Sequence, residues 1–175
     1  MIEIRIHGRG GQGVVTAAEL IATAAFKGGR EAQAFPSFGP ERGGSPVIAL
    51  ARIDNEKINL RSNVYEPDVL IVLDPSLVKD VDVTKGLKKN GIIIINSQKK
   101  IKINNFKTYS IDATSAALEI TGKPIVNTAL LGAFSKITNI ISLNAFENAI
   151  EEYFQNKKEI IEPNKKLIKN VYEKS

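Results

Sequence analysis

Three glycines near the start of the chain have the spacing of a loop that binds phosphate groups. Gly8, Gly10 and Gly13 form a G-x-G-x-x-G pattern between the alternating apolar residues 2–6 and an apolar helical stretch. Such glycines let the backbone approach a phosphate, which then lies at the helix N-terminus with its free N–H groups and positive dipole end. The pattern therefore predicts a phosphate or pyrophosphate site, and the alternative is a tight strand-to-helix turn that binds nothing. The candidate binding residues are Gly8, Arg9, Gly10, Gly11, Gln12 and Gly13.

A nicotinamide dinucleotide fits this loop poorly because an acidic residue is missing. In the usual dinucleotide pattern the second strand ends at an acid that holds the ribose. Here the second predicted strand, residues 32–35, runs into Pro36 and Ser37, and the nearby Glu31 lies at the wrong end of that strand. A freestanding nucleotide-binding oxidoreductase therefore remains only an alternative function.

A second candidate for function is the proline- and glycine-rich segment 35–46. Its prolines restrict the backbone, its glycines release it, and two phenylalanines lie beside the adjacent pair Glu41 and Arg42. Aromatic side chains next to a charge pair are unusual on an ordinary surface loop. The segment predicts a contact with a partner or ligand, and the alternative is an internal clamp with local ion pairs. The candidate residues are Ser37, Phe38, Gly39, Pro40, Glu41, Arg42 and Gly43.

A third candidate is the apolar helix predicted over residues 127–137. Asn127 stands at its start, where it either caps the helix or contacts a ligand. Gly132 inside the helix costs about 1 kcal/mol relative to alanine, which indicates that another helix or backbone approaches closely there. The single histidine, His7, is predicted to be packed at the end of the first strand.

Strands and helices alternate along the chain and must position these residues. Strands are predicted over residues 2–6, 32–35, 47–53, 69–73, 92–95 and 108–111, and residues 57–61 are expected to pair with the third strand. Helices are predicted over residues 14–26, parts of 77–89, 113–121, 127–137, 145–154 and 156–175. Asp112 and Asn144 are expected to cap two of them, the latter in an approximate capping box with Glu147. This order predicts one α/β domain over residues 1–175, a Rossmann-like layered domain with a mostly parallel sheet and a helical C-terminal part.

Composition excludes several kinds of chemistry. The chain has no cysteine, which excludes disulfides, cysteine-ligated iron–sulfur clusters and thiol catalysis, and its one histidine excludes a multi-histidine metal site. It lacks a P-loop and a thiamine diphosphate motif, and no catalytic residue is predicted. The net charge of +5 suits an anionic ligand or acidic partner, but an ordinary solvated surface is the simpler explanation of the charge alone. Without a signal peptide or an apolar run of about 20 residues, we expect a cytoplasmic protein that binds neither membrane nor nucleic acid.

In this order the three motifs, residues 8–13, 38–43 and 127–133, resemble those of the gamma subunit of 2-oxoacid:ferredoxin oxidoreductases. The likeness covers essentially the whole chain. The run Phe38-Gly39-Pro40-Glu41-Arg42, followed by residues 45–47, is most similar to the pyruvate branch, with the 2-oxoglutarate and branched-chain enzymes as alternatives. Gly43 departs from that branch, which often has a second arginine there.

The resemblance implies a subunit of a complex that oxidatively decarboxylates a 2-oxoacid, transfers the acyl group to coenzyme A and reduces ferredoxin, reversibly. Thiamine diphosphate and iron–sulfur clusters are then expected on partner subunits of alpha, beta and delta type. The gamma subunit is implicated in coenzyme A binding, for which the glycine-rich loop and Asn127 are the candidates, and in assembly. The isolated chain is expected to be inactive. The remaining alternative is a purely structural subunit whose glycine-rich loop binds nothing.

Overall fold

A mostly parallel sheet forms the centre of the molecule. In the computed structural model, which describes residues 1–37 and 44–175, the strands are β1 (Ile2–Arg9), β2 (Glu31–Ser37), β3 (Pro46–Asp54), β4 (Val69–Val72), β5 (Ile92–Asn96) and β6 (Lys107–Ile111). Their order across the sheet is β2-β3-β1-β4-β5-β6. Strands β1, β4, β5 and β6 pair in parallel, whereas β3 runs antiparallel to both of its neighbours, β1 and β2. The predicted α/β fold is therefore confirmed.

Helices pack against this sheet, and all of them except a short one after β4 cover the same face. They are α1 (Val14–Lys27), α2 (Leu77–Asp80), α3 (Ala113–Thr121), α4 (Asn127–Thr138), α5 (Leu143–Tyr153) and α6 (Ile161–Lys174), with a 3-10 turn at Lys158–Ile160. The larger apolar core joins α1 and α3 to α6 to the side chains of one face, such as Ile71 and Ile94. The alternate side chains of the same strands, such as Leu70 and Ile93, enter a smaller core on the other face. Alternation along β4 and β5 thus buries both faces, as their continuous apolar runs predicted.

Two arginines are buried in the sheet and donate hydrogen bonds to the backbone of two connecting segments. Arg52 is fully buried, pairs with Glu3 (Nε to Oε1, 2.9 Å) and donates to the carbonyls of Ser62 and Asn63 at 2.8 and 3.0 Å. Arg5, 8% exposed, donates to the Val83 carbonyl at 3.0 Å. These charged hydrogen bonds anchor the segments that follow β3 and α2.

Two local predictions were wrong, the strand over residues 57–61 and the Asn144 cap with its capping box. Residues 57–61 form no strand, because the chain turns away at Asp54, whose carboxylate accepts the N–H of Asn55 at 2.7 Å. Between residues 77 and 89, which were predicted to be helical in parts, the α-helix covers Leu77–Asp80. Helix α5 is capped by Ser142, which accepts the N–H of Ala145 at 3.2 Å, so neither the Asn144 cap nor its capping box forms. The cap of α3 is as predicted, since Asp112 accepts the N–H of Ser115.

Helix α4 passes very close to α6 at a glycine. A Cβ added at Gly132 would overlap the backbone carbonyl of Ile168 and would lie 3.0 Å from the N atom of Tyr172. This contact confirms the close approach that a glycine inside an apolar helix predicted. Within residues 1–37 and 44–175, no helix combines the length and the apolar character needed to cross a membrane.

Candidate functional site

The glycine-rich loop lies at the carboxyl edge of the sheet, at its topological switch point. From β1 the chain passes through α1 to β2, which lies on the β3 side of β1. Strand β4 pairs with β1 on its other side and is followed by β5, farther out on that side. In open α/β sheets such a point forms a crevice outside the carboxyl ends of the strands, where ligands bind. The loop after β1 and the residues after β4, which begin with Leu73 and Asp74, border this crevice.

The backbone of the loop needs its glycines. Gly11 and Gly13 have φ of 91° and 73°, in the left-handed region that favours glycine. A Cβ at Gly8 would lie 2.5 Å from Cγ2 of Val14. The Gln12 side chain closes the turn, since its Oε1 accepts the N–H of Arg9 at 2.8 Å. Helix α1 begins after Gly13, and no side chain caps the N–H groups of its first turn.

The guanidinium of Arg9 is held by acidic side chains of the same chain. Its Nε donates to Oδ2 of Asp74 at 3.1 Å, and its Nη2 donates to Oδ2 of Asp80 at 2.5 Å and to Oγ of Ser76 at 2.7 Å. The hydrogen bond with Asp80 is the largest of the influences that raise the pKa of Arg9. The negative charges of Asp74 and Asp80 thus neutralise the positive charge of Arg9. Arg9 therefore fixes the loop to the residues that follow β4 and adds little free charge for a phosphate.

Asp74 is the centre of this network. It accepts hydrogen bonds from Arg9, from Nε2 of Gln12 at 3.2 Å, and from the N–H and hydroxyl of Ser76 at 2.9 and 2.7 Å. Burial raises the pKa of the carboxyl, but the hydrogen bonds of Ser76 and Gln12 and the charge of Arg9 outweigh it, so the pKa lies below its ordinary value. Asp74 is therefore ionised at neutral pH and orients the glycine-rich loop.

Asn127 joins the third motif to the first. It is the first residue of α4 and does not cap that helix, whose N-cap position is Val126. Its Nδ2 instead donates to the carbonyl of Gly13 at 3.3 Å, and a Cβ on Gly13 would overlap the Asn127 side chain. Residues 114 positions apart are thus in contact, as expected for members of one site.

The residues that directly follow the second motif contact the glycine-rich loop. Ser37 ends β2 and pairs with Ile48 of β3. The N–H of Gly10 donates to the carbonyl of Ser45 at 3.0 Å, and Arg9 donates to the carbonyl of Gly44 at 3.3 Å. The other candidates of this motif, Phe38, Gly39, Pro40, Glu41, Arg42 and Gly43, lie outside the described residues.

A cleft, which we call the carboxyl-edge cleft, continues along the carboxyl edge of the sheet from the glycine-rich loop. Its inner part is a cavity of about 300 Å³ between Gln12, Asp74 and Asn96, and it adjoins a wider cavity of about 680 Å³ that includes Lys79 and Lys99. Asn96 was not predicted as a site residue. Its Nδ2 donates to the Leu73 carbonyl at 3.1 Å and to the Thr114 hydroxyl at 2.9 Å. The available signal was its position at the carboxyl end of a buried parallel strand.

The arrangement supports binding better than catalysis. Among residues 1–37 and 44–175, no group of three or more His, Cys, Asp or Glu side chains could hold a metal ion. Since Arg9 is offset by carboxylates, attraction for an anionic ligand comes from the α1 N-terminus and from the exposed Lys79 and Lys99. His7 lies below the loop, buried and hydrogen-bonded to Arg5, as predicted for a packed histidine.

Comparison with known proteins gives matches over the whole chain. The sequence profile of the family described as "Pyruvate ferredoxin/flavodoxin oxidoreductase" matches residues 3–174. The "Pyruvate/ketoisovalerate oxidoreductases common subunit gamma" of Pyrococcus furiosus is 50% identical over 182 residues, covering 100% of this chain and 97% of the relative. The "Pyruvate synthase subunit PorC" of Methanocaldococcus jannaschii is 54% identical over 157 residues, covering 90% and 88%. The crystal structure of pyruvate oxidoreductase subunit PORC from Thermotoga maritima superposes with a TM-score of 0.86 at 37% identity, covering 98% and 95%.

Proposed function

Because the chain belongs to the pyruvate ferredoxin/flavodoxin oxidoreductase family, we propose that it is the gamma subunit of a multisubunit pyruvate synthase. That enzyme converts pyruvate, coenzyme A and oxidised ferredoxin into acetyl-coenzyme A, carbon dioxide and reduced ferredoxin, and the reaction is reversible. The observation that carries the proposal is about 50% identity, over nearly the full length of both chains, to the gamma subunit from Pyrococcus furiosus. The absence of cysteine from the sequence is consistent with iron–sulfur clusters on the partner subunits.

The carboxyl-edge cleft is the part of this subunit that we propose contributes to coenzyme A binding. Coenzyme A carries a pyrophosphate and a 3′-phosphate, and the N–H groups of the first turn of α1, which no side chain caps, are suited to one of them. Lys79 and Lys99 along the cleft supply the nearby cations. In this proposal Arg9 positions the loop through Asp74 and Asp80, and Asn127 holds the start of α4 against Gly13.

We further propose that the segment from Ser37 to Gly43 contacts the partner subunits. Gly44 and Ser45, which directly follow the segment, lie beside the glycine-rich loop, since Arg9 donates to the Gly44 carbonyl and the N–H of Gly10 to the Ser45 carbonyl. The segment contains one aromatic ring, that of Phe38, whose burial against a partner is favourable by about 25 cal/mol per Å² of apolar surface. A contact here would place the coenzyme A cleft next to the subunits that carry the chemistry.

Reconstitution tests the assignment. The partner subunits are purified with and without this chain, and reduction of ferredoxin by pyruvate and coenzyme A is measured. We expect activity in the full assembly and none in the isolated chain. Activity of the isolated chain, or full activity of the partners without it, would contradict the proposal.

A glycine pair tests the coenzyme A contribution separately. Gly13→Ala strains a left-handed residue and displaces Asn127, whereas the control Gly29→Ala imposes similar strain, at φ of 78° with open space, at the far end of α1. In the assembled complex, Gly13→Ala is expected to raise the coenzyme A concentration for half-maximal rate several-fold, with thiamine diphosphate content unchanged. The control is expected to keep the wild-type value. An unchanged coenzyme A dependence in the assembled Gly13→Ala complex would exclude the loop from coenzyme A binding.

A second candidate function is a subunit shared by two enzymes. It is favoured by the name of the Pyrococcus furiosus relative, a common gamma subunit of pyruvate and ketoisovalerate oxidoreductases. Affinity purification of the tagged chain distinguishes the two functions. A shared subunit copurifies with two sets of catalytic subunits, one active on pyruvate and one on ketoisovalerate, whereas a dedicated subunit yields only the first.

A further inference from the structure

The net positive charge of the chain is concentrated in residues 77–106. This stretch contains seven lysines and two aspartates, with no arginine or glutamate, so its net charge of +5 equals that of the full chain. The rest of the chain therefore has no net charge. The stretch 157–174 is also rich in lysine, but it mixes six lysines with three glutamates and packs against α5, which carries three more glutamates.

These seven lysines lie on the face of the sheet opposite to the main helical layer. Two connecting segments, 77–89 and 99–106, cover the smaller apolar core there, since Leu87 of the first and Ile103 of the second are buried in it. All seven lysines are exposed. Because they flank these buried residues in the chain, both segments present their positive charge on the same face.

Few negative charges oppose these lysines. Lys79 and Lys99 line the carboxyl-edge cleft. The other five, which we call the lysine surface, are Lys85, Lys88, Lys89, Lys100 and Lys102. Of these five, only Lys88 has an acidic partner within residues 1–37 and 44–175, namely Asp68 (Nζ to Oδ1, 2.8 Å). Asp80, one of the two aspartates in the stretch, pairs with Arg9 instead.

The composition of the stretch 77–106 indicates an acidic protein partner. Nucleic acids are bound with arginine forks and stacked aromatic rings, but the stretch has no arginine, and its one aromatic ring, that of Phe106, packs against the smaller core. No large apolar side chain of the stretch is exposed for insertion into a membrane surface. The half-buried Val78 and Ile101 instead offer small apolar contacts among charges, as protein interfaces do.

A lysine-rich interface suits a protein that binds and dissociates rapidly. Lysine is depleted in stable protein interfaces, and exposed ion pairs add little to affinity. Complementary charge instead raises the rate of association. In the reaction proposed above, the electron acceptor is the protein that must bind and dissociate in every cycle.

We propose that the lysine surface guides an acidic electron-carrier protein, the acceptor of that reaction, to the assembled complex. This inference rests on the proposed function, from which it takes the acceptor. The surface contributes binding only, and the electrons come from the partner subunits. Lys100 and Lys102 are the members to test, since both are exposed in one short segment and neither forms an ion pair in the described parts of the chain.

Charge reversal tests this proposal in the reconstituted complex. Lys100→Glu/Lys102→Glu is compared with Lys157→Glu/Lys158→Glu, which makes the same change in net charge at two exposed lysines beside the 3-10 turn of the helical layer. An acidic ferredoxin is the acceptor, and methyl viologen, which needs no protein docking, is the reference. The first variant is expected to lower kcat/KM for ferredoxin about tenfold at an ionic strength of about 10 mM, and at most about twofold at about 0.5 M, where the charges are screened.

Three readouts are expected to stay at their wild-type values. They are the kcat with methyl viologen, the assembly of the complex in gel filtration, and the ferredoxin kinetics of the Lys157→Glu/Lys158→Glu control. In addition, Lys100→Arg/Lys102→Arg keeps both positive charges and is expected to retain the wild-type kcat/KM for ferredoxin.

The other outcomes would overturn the proposal. Equal kcat/KM for ferredoxin in the two charge-reversal variants, or an effect that persists at high ionic strength, would show that the lysine surface does not guide the acceptor. Failure of Lys100→Glu/Lys102→Glu to assemble would assign the surface to a permanent subunit. Binding of DNA or phosphatidylserine vesicles that only this variant loses, with normal ferredoxin kinetics, would assign it to nucleic acid or membrane. A wild-type assembly that does not reduce methyl viologen with pyruvate would contradict the proposed function itself.

Discussion

Acidification from pH 7 to pH 4 is expected to destabilise the fold through its single histidine. His7 is 4% exposed, and its Nε2 accepts a hydrogen bond from Nε of Arg5 at 3.1 Å. Burial, and next the positive charge of Arg5, lower the pKa of His7 to about 4. A proton on Nε2 would remove the acceptor and place two cations side by side, so the folded chain holds His7 in its neutral form.

The magnitude and sign follow from the difference between the folded and unfolded chains. The ordinary pKa of histidine is about 6.5, and each pH unit of difference corresponds to about 1.4 kcal/mol. The unfolded chain therefore binds the proton first as the pH falls, and the free energy of unfolding decreases by about 3 kcal/mol between pH 6.5 and pH 4. Asp74 and Asp54 have lowered pKa values, so their contributions are lost only at lower pH.

Two measurements check this prediction. NMR of the imidazole follows one histidine without ambiguity, and its titration midpoint in the folded chain is expected near pH 4. Urea unfolding at pH 7, 6 and 5 measures the loss of stability, with His7→Gln as the control because glutamine keeps an acceptor for Arg5 but does not titrate. An imidazole midpoint near 6.5, or the same pH dependence in His7→Gln, would refute the reasoning.

Three further predictions concern helix packing, the Asp74 network and the second motif. Gly132→Ala is expected to lower the free energy of unfolding in urea by about 2 kcal/mol, because the added Cβ would overlap the Ile168 carbonyl and outweigh a gain in helix propensity of about 1 kcal/mol. Gly28→Ala, at φ of −79°, is the control and is expected to have a smaller effect. A Gly132→Ala chain as stable as wild type would contradict the packing argument. Asp74→Asn is expected to reduce the loss of stability that occurs below about pH 4. A carboxyl whose pKa is lowered by folding stabilises the fold at pH values above its pKa in the unfolded chain, and this contribution is lost as the pH falls. An unchanged dependence of the free energy of unfolding on pH in acid would exclude this role. Arg42→Ala is expected to leave the Tm of the free chain unchanged while lowering assembly or turnover, and a lower Tm with normal turnover would instead support an internal clamp.

The central strands could be predicted from the sequence, but the burial of their polar side chains and the hydrogen-bond partners of those side chains could not. The apolar runs of β4 and β5 identify strands buried on two faces, and that prediction is confirmed. The alternation in β1 indicates one buried face, yet β1 lies in the middle of the sheet and both faces are covered. Arg5 and His7 are therefore buried, and the partners that make this tolerable, such as the Val83 carbonyl, are distant in sequence.

Site residues could be predicted where residues close in sequence set the conformation of a motif. They were missed where their hydrogen-bond partners come from distant parts of the chain. The glycine-rich loop was recognised because its conformation is set by nearby residues. Its attachment through Arg9 to Asp74 and Asp80 was not, because residues 65 and 71 positions apart meet only after β1 and β4 pair. The position of β3, antiparallel between β1 and β2, could not be predicted from the sequence either, since alternation of apolar residues indicates a strand but not the strands that it pairs with.

The hydrogen bond between Gly10 and Ser45 makes the first loop accessible to spectroscopy. It uses the backbone carbonyl of Ser45, so the half-buried Ser45 side chain can be replaced without removing the bond. Because the chain has no cysteine, Ser45→Cys would create a single thiol for a fluorine or fluorescent label. A label at this position would follow ligand occupancy of the glycine-rich loop in the intact complex, without any change to the loop itself.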